Sequence, residues 1–394
     1  MTLPVETSAT AKLALSCSSE IHSIGHENLY VLISCSKTKG GHREVARDMY
    51  ASPLYRKSVM LTEKWGVRFG ILSAKHGLLD PNQVIEPYDL TLKGASRSAK
   101  IEWARMVDAQ IRSLRGKKLV ILAGDDYLAP LIEMVESKSF DYYAPMRGLS
   151  LGNRLAFLNE AIDIERRRDA IAKAYRLFET ISKPRGLPRL RDLLNEDLPS
   201  HGVYFFFDDL EATSFSSSIP RLVRVGTHGV SLGSVATLRN RLRTHFGTQA
   251  GTGNHRASVF RLHVGRAIIE RERLHVEFPH WGKGQSAARE IVDMEIPMER
   301  RVSEYIGDLR VLNIPVLDTA STSSMRATIE RQFIAMFTAN FCAIESSSIE
   351  WLGHYSDKRT IRETGLWNVR DVGEKYDIKF LTFLETYFNR NKII

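Results

Sequence analysis

The stretch from Gly202 to His263 constrains the fold more than any other part of this 394-residue chain. It begins with the apolar run GVYFFF, crosses a polar loop to a second apolar run, RLVRVG, and then reaches the helical pattern ATLRNRLRTHF. Two strand-like runs followed by a helix predict an α+β unit. Arg241 and His245 are four residues apart in the helical pattern, so we expect them on the same face of one helix.

Positive charge is concentrated in the same part of the chain. The net charge is +9, and between Arg221 and His275 there are ten arginines, no lysine and two glutamates. Arginine contacts phosphate oxygens through a planar fork of donors, so this distribution favours a polyanionic partner, DNA, over a merely solvated surface. The candidates for contacts with DNA are Arg224, Arg239, Arg243, Arg256 and Arg261.

The first half of the chain alternates strand-like and helical patterns. The segments LYVLIS, VRFGILS and KKLVILAG resemble buried strands, and each is followed by a polar loop. This alternation predicts a parallel α/β sheet, and ligands of such sheets bind beyond the carboxyl ends of the strands. Cys35 is a candidate nucleophile there, although a single cysteine at the end of a buried strand is more often an apolar filler. The residues that we predict to line a pocket at these ends are Cys35, Ser36, Lys37, Ser73, Lys75, His76, Asp125 and Tyr127.

The composition along the chain predicts two domains. Residues 1–27 are expected to form a disordered, polar arm, and residues 28–182 an α/β domain with a long C-terminal helix. Three prolines and alternating charge in residues 183–200 indicate a linker, so residues 201–394 are left for the second domain with a C-terminal extension.

The cysteines and the hydropathy pattern bear on localisation. Cys17, Cys35 and Cys342 are far apart and form no CxxC pair, which argues against a structural zinc site and favours a reducing, cytoplasmic setting. No apolar run approaches the roughly 18 residues that span a membrane. We therefore expect no membrane association, and the sequence leaves open whether the chain forms a homo-oligomer.

Over residues 200–345 the second half resembles the GIY-YIG nuclease family in its short glycine-containing strands and in the Arg, His and Glu that follow them. The resemblance implies that Tyr204 contacts or deprotonates the attacking water and that Arg241 stabilises the phosphate, with His245 one turn later. It also implies that Glu330, in the segment TIERQFIAMF, is the single protein ligand of Mg²⁺ or Mn²⁺. The asparagine usual in the family corresponds to Asn340 or Asn368.

The second motif departs from the family pattern. Arg224 is found where the family has a tyrosine, which puts the water-orienting role of that tyrosine in doubt. His228, two residues past Gly226, is a candidate for proton transfer. His255 lies in an insertion-like, glycine-rich loop and is a candidate to replace a histidine that some family members carry.

The first half resembles a bacterial domain family of unknown function that is related to the YaaA stress-protein group. The resemblance covers residues 28–160 and rests on the segments SCSKTK, SAKHGLL and EPYDLTL.

These patterns together predict a metal-dependent DNA endonuclease whose N-terminal domain recognises the target or a modified base, in restriction or another antiviral defence against foreign DNA. Two alternatives remain open. The N-terminal domain could be a nucleotide- or base-processing, glycosylase-like enzyme coupled to strand cleavage. The chain could also be a non-catalytic DNA-binding protein with a degenerate second motif.

Overall fold

The computed structural model describes residues 8–136, 140–248, 250, 252–321, 324–340 and 342–391. The chain divides into two compact units, Met1–Arg166 and Arg167–Ile394. No helix within the described ranges is long and apolar enough to cross a membrane.

The first unit is an α/β domain built on a mainly parallel sheet, as predicted. The five-stranded sheet has the order β4-β3-β1-β6-β7, in which β1 is parallel to both β3 and β6, and β4 is antiparallel to β3. Its elements are α1 (Ala9–Ile24), β1 (Leu29–Ser34), β2 (Glu44–Val45), α2 (Ala46–Met49), α3 (Pro53–Trp65), β3 (Phe69–Ser73), β4 (Gly77–Leu79), β5 (Val84–Ile85), α4 (Arg97–Ile111), β6 (Lys118–Leu122), α5 (Asp125–Glu136) and β7 (Tyr142–Tyr143).

The sheet core explains why these segments are apolar. Leu32, Leu72 and Ile121, from β1, β3 and β6, are fully buried, and Trp103 and Val107 of α4 pack in the same cluster. Parallel strands covered by helices exclude water from both faces, so their sequences are continuously hydrophobic. Because β1 is parallel to both β3 and β6, the carboxyl ends of these three strands lie along one edge of the sheet.

The prediction of a disordered arm over residues 1–27 is wrong for its described part. The helix α1 begins after Ser8, whose side chain accepts a hydrogen bond from the backbone amide of Ala11. Its buried face consists largely of small residues, including Ala14 and Cys17, at helical spacing. Small residues permit close packing but give a weak hydropathy signal, which hid the helix. Residues 1–7 of the predicted arm lie outside the described residues.

The predicted linker, residues 183–200, is also wrong as a domain boundary. The two units divide at Arg166, inside the long helix α6 (Leu151–Ser182), and residues 183–200 belong to the second unit. Leu190 is completely buried there, and its amide donates a hydrogen bond to the carbonyl of Leu309. The prolines therefore mark turns within a packed unit rather than a flexible connection.

The second unit is an α+β domain around a three-stranded antiparallel sheet with the order β10-β8-β9. The central strand β8 places Tyr204 opposite Gly226 of β9 and Asn313 of β10. Its elements after α6 are α7 (Leu190–Leu193), β8 (Gly202–Asp208), β9 (Arg221–Gly226), α8 (Leu238–Phe246), α9 (Val259–Glu272), α10 (Arg289–Asp308), β10 (Arg310–Pro315), α11 (Met325–Phe337), β11 (Thr338–Ala339), β12 (Cys342–Ala343), α12 (Arg359–Thr364) and α13 (Phe380–Arg390).

Two helix starts in the second unit follow from capping residues. The Ser324 side chain accepts a hydrogen bond from the amide of Ala327 and so caps α11, the helix that carries Glu330. Ser258 caps α9 by accepting from the amide of Arg261. The segment from Ser258 to Ile269 fitted either a strand or a helix by pattern, and the structure shows a helix.

Candidate functional sites

Tyr204 and His245 form a buried hydrogen-bonded pair in the second unit. The Tyr204 hydroxyl lies 2.8 Å from His245 Nε2, and His245 Nδ1 lies 2.9 Å from Ser258 Oγ. Tyr204 and His245 are both fully buried. Burial, and secondarily the charge of Arg241, holds the pKa of His245 well below its usual value, so the ring is neutral at neutral pH. The histidine therefore fixes the orientation of the tyrosine hydroxyl.

Position 226, at the end of β9, needs a glycine because the Tyr204 side chain occupies the space where a β-carbon would lie. A β-carbon at this position would lie 2.3 Å from the Tyr204 hydroxyl oxygen and 2.5 Å from a ring carbon, far inside van der Waals contact. The glycine of the second motif thus makes the space in which the Tyr204 ring lies.

Arg241 and Glu330 lie near the same site. Arg241 is a partly buried residue of α8 whose guanidinium makes no hydrogen bond or ion pair within the described ranges. Burial raises the pKa of Glu330 to about 7, against the opposing effect of the positive charges of Arg224 and Arg241. The amide of Thr227 also favours the carboxylate form. The charge of Arg241 therefore acts on a carboxyl group whose pKa is raised by burial.

Arg224 occupies the position where the tyrosine of the second motif was expected. Its Nη1 donates a hydrogen bond of 2.7 Å to the carbonyl of Trp367, and its guanidinium carbon lies 4.7 Å from the centroid of the Phe260 ring. The guanidinium also lies close to Tyr204 and to Glu330. Burial lowers the pKa of Arg224, but an arginine remains charged at neutral pH. A second positive charge thus replaces the aromatic hydroxyl.

The sequence of the second unit matches a known family. Residues 165–393, more than half of the chain, match the family model of the GIY-YIG domain. The chain belongs to the GIY-YIG family. This confirms the resemblance drawn from the motifs, and the GIY-YIG domain supports an endonuclease function with DNA as the substrate. Residues 30–160 match the model of a family of unknown function, DUF6884. No curated protein and no solved structure matches the chain.

The metal that GIY-YIG nucleases generally use fits the residues present. No group of three or more His, Cys, Asp or Glu side chains arranged for a metal occurs among the described residues. Mg²⁺ needs no such cage, because it keeps several waters and binds through one or two carboxylates together with substrate phosphates. The partly buried carboxyl group of Glu330 would be one such ligand.

His228 lies at the end of the second GIY-YIG motif, and the structure limits its role. Its ring stacks on that of His201 with centroids 5.6 Å apart, and it is nearly fully buried. Burial, assisted by the charge of Arg326, lowers the pKa of His228 to about 4. The ring is therefore neutral at physiological pH and does not donate a proton as an imidazolium.

His255 is not available for catalysis. Its Nδ1 lies 2.9 Å from a carboxylate oxygen of Glu299, its Nε2 accepts from the amide of Gly282 at 3.1 Å, and its ring stacks on Trp281 at 3.8 Å. Both ring nitrogens are used inside the fold, so the prediction of a substitute catalytic histidine is wrong.

Besides Arg224, three of the five arginines predicted to contact DNA have partners within the protein. Arg256 makes two hydrogen bonds to Glu295, at 2.6 and 2.9 Å, and Arg239 donates to the backbone carbonyl of Leu194 at 2.7 Å. Arg261 is completely buried, where it binds Glu299 and the carbonyls of His245 and Phe246. A guanidinium whose donors are used in this way is not free for phosphate. Arg243 is exposed on α8 and remains available.

Two polar residues, Ser258 and Asn368, support the site through hydrogen bonds that the sequence does not indicate. Ser258 would be recognised only as a helix cap, whereas it also bonds His245. Asn368 uses both ends of its side-chain amide on the backbone of Val225, at 2.8 and 3.1 Å, and so extends the edge of β9. That places it beside Arg224 as a structural residue.

The predicted pocket of the first unit is partly assembled. Cys35 Sγ lies 3.1 Å from the hydroxyl of Tyr127, and Ser73 Oγ lies 2.7 Å from the hydroxyl of Tyr88. A third hydroxyl, that of Tyr50, lies 2.8 Å from Tyr88. Tyr50 and Tyr88 were missed, because nothing in their local sequence indicates that they reach the strand ends.

The remaining predicted pocket residues differ in their surroundings. Lys75 Nζ lies 5.6 Å from the centroid of the Tyr88 ring, and the His76 ring meets the same ring edge-on with centroids 5.4 Å apart. Asp125 forms an ion pair of 2.6 Å with Arg154. Ser36 donates to the carbonyl of its near neighbour Thr38. Lys37 is exposed and has no ion pair among the described residues.

Proposed function

We propose that the second unit is a metal-dependent endonuclease that hydrolyses DNA phosphodiester bonds at the site formed by Tyr204, Arg224, Arg241 and Glu330. The observation that carries the proposal is the approach of two arginines to one carboxyl group of raised pKa, next to a tyrosine fixed by His245. A divalent cation bound to Glu330 would supply charge stabilisation at the phosphate.

Tyr204 has the role of contacting the attacking water. With the proton of the neutral His245 ring on Nδ1, the Tyr204 hydroxyl would donate to Nε2 and keep an oxygen lone pair to accept from water. In the absence of DNA the hydroxyl is fully buried, with Arg224 close to it. We propose that a bound phosphate attracts the Arg224 guanidinium and thereby uncovers the hydroxyl. His245 is a positioning residue, because its low pKa makes it a poor proton acceptor.

Arg241 and Arg224 stabilise the charge that develops on the phosphate oxygens. Arg241 has no competing partner within the described ranges, so its donors are free for the substrate. Preorganised donors of this kind are worth about 3–4 kcal/mol each in a site that excludes water. Arg224 then compensates for the missing tyrosine with charge rather than with a hydroxyl.

Plasmid cleavage tests this function. Purified protein with Mg²⁺ or Mn²⁺ should nick or linearise supercoiled DNA, and Glu330→Ala, Arg241→Ala and Tyr204→Phe should each lose most of that rate. The exposed Glu385→Gln variant on α13 is a matched control and should cleave normally. Equal cleavage by the wild type and Glu330→Ala would refute a metal role for this carboxylate. Salt-sensitive DNA binding without cleavage under any divalent metal would favour a non-catalytic DNA-binding protein.

We further propose that the first unit recognises the target or a modified base, in a defence against foreign DNA. The observation that supports it is the cluster of Cys35, Tyr127, Ser73 and Tyr88 at the carboxyl edge of the sheet, a usual place for ligands. Substitutions in this cluster should change the ratio of cleavage of modified to unmodified DNA. An unchanged ratio would remove the recognition role.

A further inference from the structure

The carboxyl edge of the first unit's sheet carries a chain of neutral hydroxyl groups. Ser73, Tyr88 and Tyr50 are linked by contacts of 2.7 and 2.8 Å between their oxygens. Burial raises the pKa of Tyr50 to about 12 and that of Tyr88 further, so neither hydroxyl ionises at neutral pH. This chain therefore contributes hydrogen-bonding groups and no negative charge.

Two ammonium groups converge on the ring of Tyr88. Lys39 Nζ lies 4.4 Å from the ring centroid and Lys75 Nζ lies 5.6 Å from it. Neither lysine forms an ion pair within the described ranges, and the only hydrogen bond given by Lys39 Nζ is a long one of 3.4 Å to the carbonyl of Lys37. An aromatic face offsets only about 0.5–1 kcal/mol per exposed cation, so the paired positive charge remains largely uncompensated.

The two carboxylates that follow β6 are already engaged. Asp125 pairs with Arg154 at 2.6 Å, and Asp126 pairs with Lys100 at 2.7 Å. Neither of these two acids therefore pairs with Lys39 or Lys75.

The backbone holds both lysines in place. Ser73 Oγ accepts hydrogen bonds from the amides of Lys75 and His76, at 3.2 and 3.0 Å, which fixes the turn after β3. Lys39 pairs with Tyr50 in an isolated β-bridge. The anchored turn and bridge reduce the conformational entropy that a ligand must overcome.

His76 offers an additional polar contact. Its ring meets the ring of Tyr88 edge-on at 5.4 Å, and its Nε2 is buried without a hydrogen-bond partner among the described residues. Burial, and then the charge of Lys75, lowers the pKa of His76, so the ring is neutral. A neutral imidazole beside two cations suits a ligand that has both an anionic group and polar ring atoms.

From this geometry we infer that the first unit binds a nucleotide, with its phosphate between Lys39 and Lys75 and its base against His76 and Tyr88. The phosphate belongs either to a free mononucleotide or to a nucleotide within DNA. The inference gives a chemical basis to the proposed recognition role, but it rests on residues of the first unit alone. Its test measures binding, so the failure of DNA cleavage and the failure of this site are separate results.

Calorimetric titration of the full-length Glu330→Ala protein tests the site without cutting the DNA probe. The probes are a deoxynucleoside monophosphate, the same deoxynucleoside without phosphate, and a short 5′-phosphorylated oligonucleotide. The test variant adds Lys39→Met and Lys75→Met. A control adds Lys12→Met and Lys173→Met, which remove the same charge from exposed helical positions. A further variant, with Arg241→Met, detects binding of the probes at the other unit.

We expect the monophosphate to bind the parent and the lysine control, and to bind the Lys39→Met/Lys75→Met protein at least about tenfold more weakly, as the loss of a charge-assisted contact predicts. The deoxynucleoside should bind much more weakly than the monophosphate. Replacing both lysines with arginine should restore binding, which separates the loss of charge from misfolding. If only the oligonucleotide binds, with the same lysine dependence, the ligand is a nucleotide within DNA.

Three results would overturn the inference. Equal affinity of the Lys39→Met/Lys75→Met protein and the lysine control would show that these cations do not bind the phosphate. Loss of binding in the Arg241→Met protein alone would place the nucleotide in the second unit. No binding of any probe to the parent would remove the site altogether.

Discussion

The raised pKa of Glu330 predicts that replacing this residue stabilises the protein. The carboxyl group has a pKa of about 7 in the folded chain and an ordinary value of 4.5, because burial penalises its charged form. At pH 8 the folded protein therefore carries a charge that the unfolded chain accommodates more easily. Each pKa unit corresponds to about 1.4 kcal/mol, so Glu330→Gln should raise the free energy of unfolding by up to about 3 kcal/mol.

The direction with pH follows from the same two pKa values. Between about pH 4.5 and 7 the folded state binds the proton more tightly, so the stability of the wild type falls as the pH rises through this window. Below pH 4.5 the carboxyl group is protonated in both states, and the advantage of Glu330→Gln should vanish. Above pH 7 the advantage should be constant, while cleavage by the variant is lost.

Denaturant unfolding of the wild type and Glu330→Gln at pH 4.5, 6 and 8 measures this difference, with the exposed Glu385→Gln as the control. Saturating Mg²⁺ should reduce the difference at pH 8, because the cation stabilises only the wild-type carboxylate. A Glu330→Gln protein that is less stable than the wild type at pH 8, or equally stabilised at all three pH values, would refute the reasoning.

Further predictions concern the neighbours of the site. Arg224→Met should lower the cleavage rate about a hundredfold and Arg224→Lys less; faster cleavage by the methionine variant would contradict a phosphate role. Ser258→Ala should lower kcat and destabilise α9 by about 1 kcal/mol, whereas Ser258→Thr should retain both properties. Arg261→Met should lower the free energy of unfolding, measured with denaturant, by about 3–5 kcal/mol, because the Glu299 carboxylate stays buried without the charge of Arg261. The same variant should leave DNA affinity unchanged. In salt titrations of DNA binding, a plot of log K against log [salt] should have a slope near −3, because each of the few free arginines contributes about −0.9. A slope near −9 is expected only if all ten arginines between Arg221 and His275 contact phosphate.

The sequence singled out candidate site residues by their order along the chain. Tyr204 and Arg241 became candidates because a strand, a second strand and a helix follow one another within a short stretch that resembles the GIY-YIG family. Glu330 is distant in sequence, yet the start of its helix, α11, is recognisable because Ser324 is a favourable N-cap residue. The approach of Glu330 to Arg224 is a tertiary contact that no local pattern specifies.

The α/β class of the first half could be predicted for a similar reason. Buried parallel strands are continuously hydrophobic, so β1, β3 and β6 are visible in the sequence. The helix α1 was not, because the small residues on its buried face give only a weak hydropathy signal. Tyr50 and Tyr88 reach the strand ends from loops and short elements, whose paths depend on the whole fold.

In the stretch from Arg221 to His275, the high count of arginines led to the prediction of DNA contacts for side chains that have partners within the protein. Several of its arginines pair with acids from outside the stretch: Glu211 binds Arg221, Glu295 binds Arg256, and Asp357 binds Arg266. Removing an arginine's hydration is costly unless a carboxylate replaces it, so these guanidinium groups are paired within the protein. Net charge along a sequence therefore overstates the charge that DNA encounters. What distinguishes Arg241 from Arg256 is the absence of such an acid among the described residues, and that absence, rather than local charge density, is why we propose Arg241 as a phosphate ligand.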